Sequence, residues 1–274
     1  MSSVDNADIQ RDAVEKTAYI PAVMRAIDSV SPHRLVYDSV SLMLIPPVMF
    51  DSVYERLQEP EFRKTTIDFH AFRARCAYDI AMIPEVLPQT VILGAGLDTL
   101  AWRESQLKDI YEIDQSEIAL NKVKKLPKPI NQGKHVIIQA DLAINTWEQE
   151  LIRNGFDSML PTVWIMEGLL VYCTKEVTKS IFQTIDQLSA KGSRLFFDHW
   201  PSSYAKTGTE ISKILRSYVD NPIEEFQWFI KNGWDMKKMI DFGENGEHYG
   251  RSHQTFFLNG IPLGLYFVSA SKIK

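Results

Sequence analysis

With 274 residues, 45% of them hydrophobic and 24% charged, the chain has enough apolar material for one sizeable core with an elaboration, and its composition excludes a disordered protein. The formal charge of −5 and the pI near 5.7 exclude a sequence-independent nucleic-acid binder, which needs a concentrated basic surface, and the lysines from Lys122 to Lys128 read as a solvated helix end. No apolar run approaches the ~20 residues of a membrane span. No N-terminal stretch has the order of a secretory signal, and Cys76 and Cys173 lack metal-ligand spacing. The expectation is a cytoplasmic protein with no membrane partner, no metal and two buried thiols.

Residues 5–88 read as mainly helical, with apolar positions recurring every three or four residues. Within them LMLIPPVMF (Leu42–Phe50) is split by Pro46 and Pro47 and reads as a bend. Alternation follows: strand 90–93, helix 98–108, strand 110–113, helix 115–126, strand 135–138, helix 145–154, strand 161–166, helix 175–190 and strand 194–198. Such an order predicts a parallel sheet covered on both faces. In helix 175–190, Val177, Ile181, Ile185 and Leu188 form one stripe that packs on the sheet. Residues 201–233 read as an aromatic-rich helical insertion, and GWDMKKMIDFG and LYFVSASK as a final strand pair, possible as an antiparallel one.

The stretch VILGAGLDTLAWR (Val91–Arg103) joins a buried strand to a glycine turn. Gly94 and Gly96 allow a tight turn and a close backbone approach to a ligand, with Ala95 between them, and Asp98 and Thr99 offer helix caps. A second strand ends at YEIDQ, placing Asp114 18 residues beyond Gly96, where a carboxylate accepts hydrogen bonds from ribose hydroxyls. A dinucleotide fingerprint wants a third small glycine where Thr99 stands, and Asp98 beside the ligand repels a diphosphate. The same acid suits S-adenosylmethionine, which has an ammonium and no phosphate.

Ligands in open α/β sheets bind outside the carboxyl ends of the strands. The residues following the strands are Gly94 and Gly96, Asp114, Asp141, Glu167, and Asp198 with His199, an acidic edge. Asp141 or Asp198 alone also reads as a helix cap or a strand-end turn.

These residues carry a family resemblance. LGAGLDT, YEIDQSEIALNK, ADLAINTW, GFDSMLPTVWIMEGLLVYC and GSRLFFD, with KTAYIPAVMRAID, YDSV, FRARCAYD, GWD and YGR around them, resemble the ordered motifs of S-adenosylmethionine-dependent methyltransferases related to leucine carboxyl methyltransferase. The bacterial polyketide and secondary-metabolite O-methyltransferase branch is included in the likeness, which extends over most of the chain. It implies that Arg75 binds the carboxylate of the methionyl tail and that Gly94, Ala95 and Gly96 pass beneath the cofactor. It further implies that Asp114 with Gln115 holds the ribose, that Asp141 and Leu142 meet the adenine, and that Glu167 lies near the methionyl group. Arg75 has an alternative partner in Asp79, its i+4 neighbour, with Arg73 as the substitute if the helix is rotated. Two positions depart from the family pattern: Leu100 stands where arginine is usual, and Asp38-Ser39 where bacterial members often have Asp-Pro.

The resulting expectation is an α/β, class I methyltransferase (Rossmann-like) fold: a doubly wound, mostly parallel seven-stranded sheet, with an N-terminal helical lid at 1–88 and a core at 89–274 carrying the insertion 201–233. The expected activity is S-adenosylmethionine-dependent O-methylation of a small-molecule hydroxyl or carboxyl group. A protein C-terminal carboxyl methyltransferase, a non-catalytic cofactor-binding scaffold and a nicotinamide oxidoreductase are the alternatives. A carboxylate acceptor needs no base. For a phenol or enol, His199 is the candidate general base, its other reading being a neutral histidine bonded to backbone. His248 and Tyr249, on a late loop, are weaker candidates, His33 reads as part of the helical lid, and Trp200, Tyr204, Tyr218, Phe226, Trp228 and Phe229 either line an acceptor pocket or fill the core of the insertion.

Overall fold

Three consecutive apolar residues, Val91, Ile92 and Leu93, lie in β1 (Gln89–Leu93), a strand buried along its whole length because it has a neighbour on each side and a layer on each face. The computed structural model describes residues 13–144 and 146–274. β1 pairs parallel with β2 (Asp109–Asp114) and β4 (Thr162–Met166), β2 with β3 (His135–Gln139), and β4 with β5 (Arg194–His199). The chain then adds β6 (Trp234–Asp241) at the edge and returns with β11 (Tyr266–Lys272) inserted antiparallel between β5 and β6. The seven-stranded order is β3-β2-β1-β4-β5-β11-β6, so the final pair is antiparallel as its sequence position allowed.

The period-two alternation of strands divides the core. Ile92, Ile165, Phe196 and Phe267 face one layer, packed with Phe69, Phe72 and Cys76 of the N-terminal helices. Val91, Leu93, Trp164, Leu195 and Phe197 face the other, against Ile181, Phe182 and Ile185. The first layer contains α1 (Tyr19–Ser29), α2 (Ser41–Leu44), α3 (Pro47–Glu55) and the long α4 (Pro60–Met82), which touches β4, β5 and β11. The N-terminal helices therefore share a core with the sheet. The predicted bend at Pro46-Pro47 is where α3 starts, with Pro47 in its first turn.

Crossover helices are shorter than their apolar patterns suggested. α5 is only Leu100–Arg103, not 98–108, because Glu104 turns extended. α6 spans Glu117–Lys125, α7 Trp147–Arg153 and α8 Lys175–Gln187. The parts of the helical readings that fall on residues 5–12 and on Asn145 lie outside the described residues. In the insertion the helical pieces are brief: a 3₁₀ turn at Ser202–Thr207, then α9 (Glu210–Ile214), α10 (Pro222–Glu225) and α11 (Gln227–Lys231). Two small hairpins follow β6, pairing β7 (Gly246–His248) with β8 (Arg251–His253) and β9 (Phe256–Leu258) with β10 (Ile261–Leu263). Among the described residues no helix is long and apolar enough to cross a membrane.

The lysine cluster needs correction at one position. Lys124, Lys125 and Lys128 are exposed, but Lys122 is fully buried, paired with Glu112 of β2 and donating to the Asp98 carbonyl at 2.7 Å. His135 Nε2 lies 2.9 Å from the other oxygen of Glu112. A buried cation with two acceptors satisfies the rule that interior charge must be paired.

Candidate functional site

A cavity of about 590 Å³ opens outside the carboxyl ends of β1, β2 and β4, within the usual size of a small-molecule site. Its floor is the turn after β1. Gly94 and Gly96 adopt φ of +67° and +43°, a conformation that favours glycine, and a Cβ on Gly94 would also press on Leu169, whose Cδ1 would lie 2.8 Å away. Asp114, ending β2, accepts the Gly96 amide at 2.7 Å through Oδ2 and the Ser116 amide at 2.8 Å through Oδ1. The carboxylate thus fixes the turn and faces the cavity, lined also by Ala95, Gln115, Asp141 and Leu142. Asp141 caps its own loop by accepting the Ala143 amide at 2.9 Å.

The far end of the cavity is charged. Glu167, just after β4, accepts from Arg73 Nε at 3.2 Å, and Arg73 also reaches Asp198 Oδ2 at 3.4 Å. Asp198 Oδ1 accepts the Gly168 amide at 2.5 Å, tying the ends of β4 and β5 together. Arg25 of α1 completes this end. Its Nε donates to Asp38 at 2.9 Å, its Nη2 to the Leu97 carbonyl at 2.7 Å, and it lines the cavity. Asp38 Oδ2 also accepts from Thr99 Oγ1 at 2.6 Å, and Oδ1 caps the Ser41 amide. Burial works to raise the Asp38 pKa, but Arg25, Arg103 and Thr99 together outweigh it and hold the carboxyl below its ordinary value. The two departures from the family pattern are harmless to this frame: Asp38 acts through its carboxylate whatever follows it, and Leu100 is a core residue whose amide donates to Asp98 Oδ1 at 2.7 Å.

Of the residues expected at the site, Gly94, Ala95, Gly96, Asp114, Gln115, Asp141, Leu142 and Glu167 all line this cavity. Arg75 does not. It lies a third exposed, pairs with Asp79 at 2.9 Å and sits over the rings of Tyr78 and Tyr249. Arg73, two residues earlier and about 200° round the helix, takes the inward position.

His199 is likewise placed away from the cavity lining, and its ring is buried. Nδ1 accepts the Trp200 amide at 2.9 Å, which puts the proton on Nε2, directed at Ser217 Oγ 3.3 Å away; Ser217 in turn donates to the Leu170 carbonyl at 3.0 Å. Burial lowers its pKa to about 4. His199 is a neutral structural histidine that pins the end of β5 to the loop after α9. His33, His248 and Tyr249 also lie away from the cavity lining; His248 stacks on His253, and Tyr249 meets Cys76 at 3.5 Å.

Among the aromatic candidates, Trp200 lines the cavity. Tyr204 packs against it, and in the second core layer Phe226 stacks on Phe182 while Phe229 meets that ring edge-on. Tyr218 bonds the Ser212 carbonyl, while Trp228 packs on that same layer. The insertion instead contributes Ile211, Ile214 and Arg216, opposite Tyr172, whose hydroxyl donates to Thr17 at 2.9 Å. Cys173, read as a buried thiol, is half-buried and lines the cavity; burial pushes it up to about 12, as for Cys76, so both remain thiols at neutral pH. His70, Arg25 and Tyr172 are cavity residues that sequence reasoning passed over. For Arg25 a trace existed, an arginine set among Ala22, Val23, Met24 and Ala26, all buried.

The chemistry of this edge fits an amino-acid-bearing nucleoside. Arginines and carboxylates stand together at one end, a carboxylate suited to a diol in the middle, and an apolar residue with a loop acid at the other end. Among the described residues there is no cluster of three metal-ligating side chains.

Comparison with known proteins points the same way. The sequence model of the family described as leucine carboxyl methyltransferase matches residues 18–186. A protein of Mycobacterium sp. (strain JLS) that carries the provisional name S-adenosyl-L-methionine-dependent methyltransferase is 31% identical over 93% of this chain and 93% of its own length. A protein of Mycolicibacterium paratuberculosis (strain ATCC BAA-968 / K-10) with the same provisional name is 30% identical over 98% and 97%. The crystal structure of a duf574 family protein from Streptomyces avermitilis superposes with a TM-score of 0.56, covering 92% of this chain and 96% of that one at 13% identity, a likeness of fold.

Proposed function

Because this chain belongs to the leucine carboxyl methyltransferase family and is an S-adenosylmethionine-dependent methyltransferase, we propose that it methylates an oxygen that reaches the cavity already ionised, the carboxylate of a small molecule. The observation that carries this reading is the state of two histidines, His70 in the cavity lining and His199 beside the lining residue Trp200. The Nδ1 lone pair of His199 is taken by the Trp200 amide, and that of His70 by Arg73, whose Nη2 lies 3.2 Å away. Neither ring offers the cavity a base, and a carboxylate, ionised above pH ~4, needs none.

S-adenosylmethionine supplies a methyl group already activated on a sulfonium, so the protein contributes alignment and the exclusion of water. Arg73 and Glu167 hold the carboxylate and ammonium of the methionyl end; the two are kept in register by their own ion pair and by Asp198. Asp114 receives the ribose hydroxyls, and Asp141 with Leu142 receives the adenine. Trp200, Tyr172, Ile211 and Ile214 wall the remaining space with apolar surface, which suits an organic acceptor with one charged group.

The test is transfer of isotopically labelled methyl from S-adenosylmethionine to a panel of small carboxylates and phenols, followed by mild alkali. A methyl ester releases the label as methanol, and an ether keeps it. Alkali-labile product formed from the carboxylates supports the reading; alkali-stable product formed from the phenols overturns it.

A further inference from the structure

We propose that His70 is a fixed hydrogen-bond donor for a carboxylate oxygen in the cavity, the third member of an anion-binding set with Arg73 and Arg25. The inference rests on the methyl-transfer reading and gives His70, which that reading treats only as no base, a role of its own.

The tautomer follows from the partner. Arg73 is a permanent cation with donors and no acceptor, so the ring nitrogen 3.2 Å from its Nη2, Nδ1 of His70, must carry the lone pair. The proton of the neutral ring is then on Nε2. No hydrogen bond joins Nε2 to any described residue, Nε2 is absent from the enclosed polar atoms that lack partners, and the ring lines the cavity. The proton-bearing nitrogen is therefore open to a ligand. Burial first, then the charges of Arg73 and Arg25, pushes the His70 pKa well below its ordinary value, so the ring stays a neutral donor across physiological pH.

Position gives the donor its target. Arg73 is anchored at the sheet edge by Glu167 and Asp198, and His70 stands three residues earlier on α4, roughly 4.5 Å along the helix axis. Arg25 approaches from α1 and lines the same cavity. Asp38, Glu167 and Asp198 offset the charge of the two arginines, so the neutral N–H beside Arg73 adds a directed donor. Together with the guanidinium N–H groups left over, it suits an anion with more than one acceptor atom. Two carboxylates answer that description: the methionyl carboxylate of the cofactor and the carboxylate of the acceptor.

Two substitutions separate the roles of the ring. His70→Asn keeps an amide oxygen near the Nδ1 position for Arg73 and removes the Nε2 donor, whereas His70→Gln places an amide NH₂ near Nε2. Calorimetry with S-adenosylhomocysteine and with 5′-deoxy-5′-methylthioadenosine, which lacks the carboxylate, reads the cofactor arm. If the donor serves the methionyl carboxylate, His70→Asn weakens S-adenosylhomocysteine about 10- to 100-fold, leaves methylthioadenosine unchanged and is partly rescued by His70→Gln. If it serves the acceptor, both nucleosides bind His70→Asn like wild type, and benzoate added to the S-adenosylhomocysteine complex shifts the His70 Nε2–H signal in ¹⁵N spectra of the wild type. A proton found on Nδ1 of His70 overturns the proposal, as does His70→Asn binding both nucleosides normally with no benzoate shift in the wild type. Failure of the wild type to bind S-adenosylhomocysteine at all overturns the methyl-transfer reading and this one with it.

Discussion

Asp114 accepts the Gly96 amide at 2.7 Å, so the carboxylate assigned to the ribose also holds the turn beneath the cofactor. Removing it should be felt twice. Asp114→Ala is expected to weaken S-adenosylhomocysteine binding by about 1–3 kcal/mol and to lower the thermal midpoint, because two backbone amides lose an acceptor. Asp114→Asn keeps an oxygen for one of those amides and should recover stability more than affinity. Calorimetry and thermal unfolding of the pair check this; equal affinity in all three proteins would remove the ribose role.

His199 should set stability and leave chemistry alone. Its folded pKa of about 4 lies below the ~6.5 of an unfolded histidine, so between those values the unfolded chain binds more protons. Stability should therefore rise with pH from about 4 to 6.5 and be flat above, a contribution of order 1–3 kcal/mol that is lost on acidification. Asp38, held below its ordinary value, loses its contribution in the same direction at lower pH. His199→Ala should flatten the upper window and cost about 1–3 kcal/mol through the unpaired Trp200 amide and Ser217, with turnover of the folded variant nearly unchanged. Denaturant melts at several pH values, together with the transfer assay, decide it.

Lys122 and Glu112 form a fully buried pair that also grips the Asp98 carbonyl. Lys122→Met should cost about 3–5 kcal/mol by leaving the buried Glu112 with His135 as its remaining partner, and the double change with Glu112→Leu should recover much of that loss. A double-mutant cycle in denaturant measures the coupling. Additive losses would show that the two residues do not act as a pair.

The sheet and the acidic edge were legible because their signals are local. Three apolar residues running into Gly94 and Gly96, and an acid at the end of each following strand, specify a buried parallel strand and a ligand edge without knowledge of any distant contact. The choice between Arg73 and Arg75 depended on how α4 docks, a tertiary property. A clue was nevertheless present: Arg73 lies at i+4 from Phe69 and i−3 from Cys76, both buried, whereas Arg75 is off that stripe. Strand parity sets His199 apart from the cavity. In FFDH, Phe196 and Asp198 face the α4 layer and Phe197 and His199 face the other, so the acid meets Arg73 and the histidine cannot. The hairpin between β9 and β10 carried a signal as well, Asn259-Gly260 with both residues at positive φ, a turn that suits two-residue hairpins.

The measurement that tests the account most directly is calorimetric titration of S-adenosylhomocysteine into wild type, Arg73→Lys and Arg75→Lys. Arg73 stands at the charged end of the cavity, held by Glu167 and Asp198, and lysine keeps its charge but loses the fork that engages a carboxylate while staying in register. The account predicts micromolar or tighter binding by wild type, a loss of at least about tenfold in Arg73→Lys, corresponding to ~1.4 kcal/mol, and no change in Arg75→Lys. Binding impaired by Arg75→Lys and untouched by Arg73→Lys would contradict it.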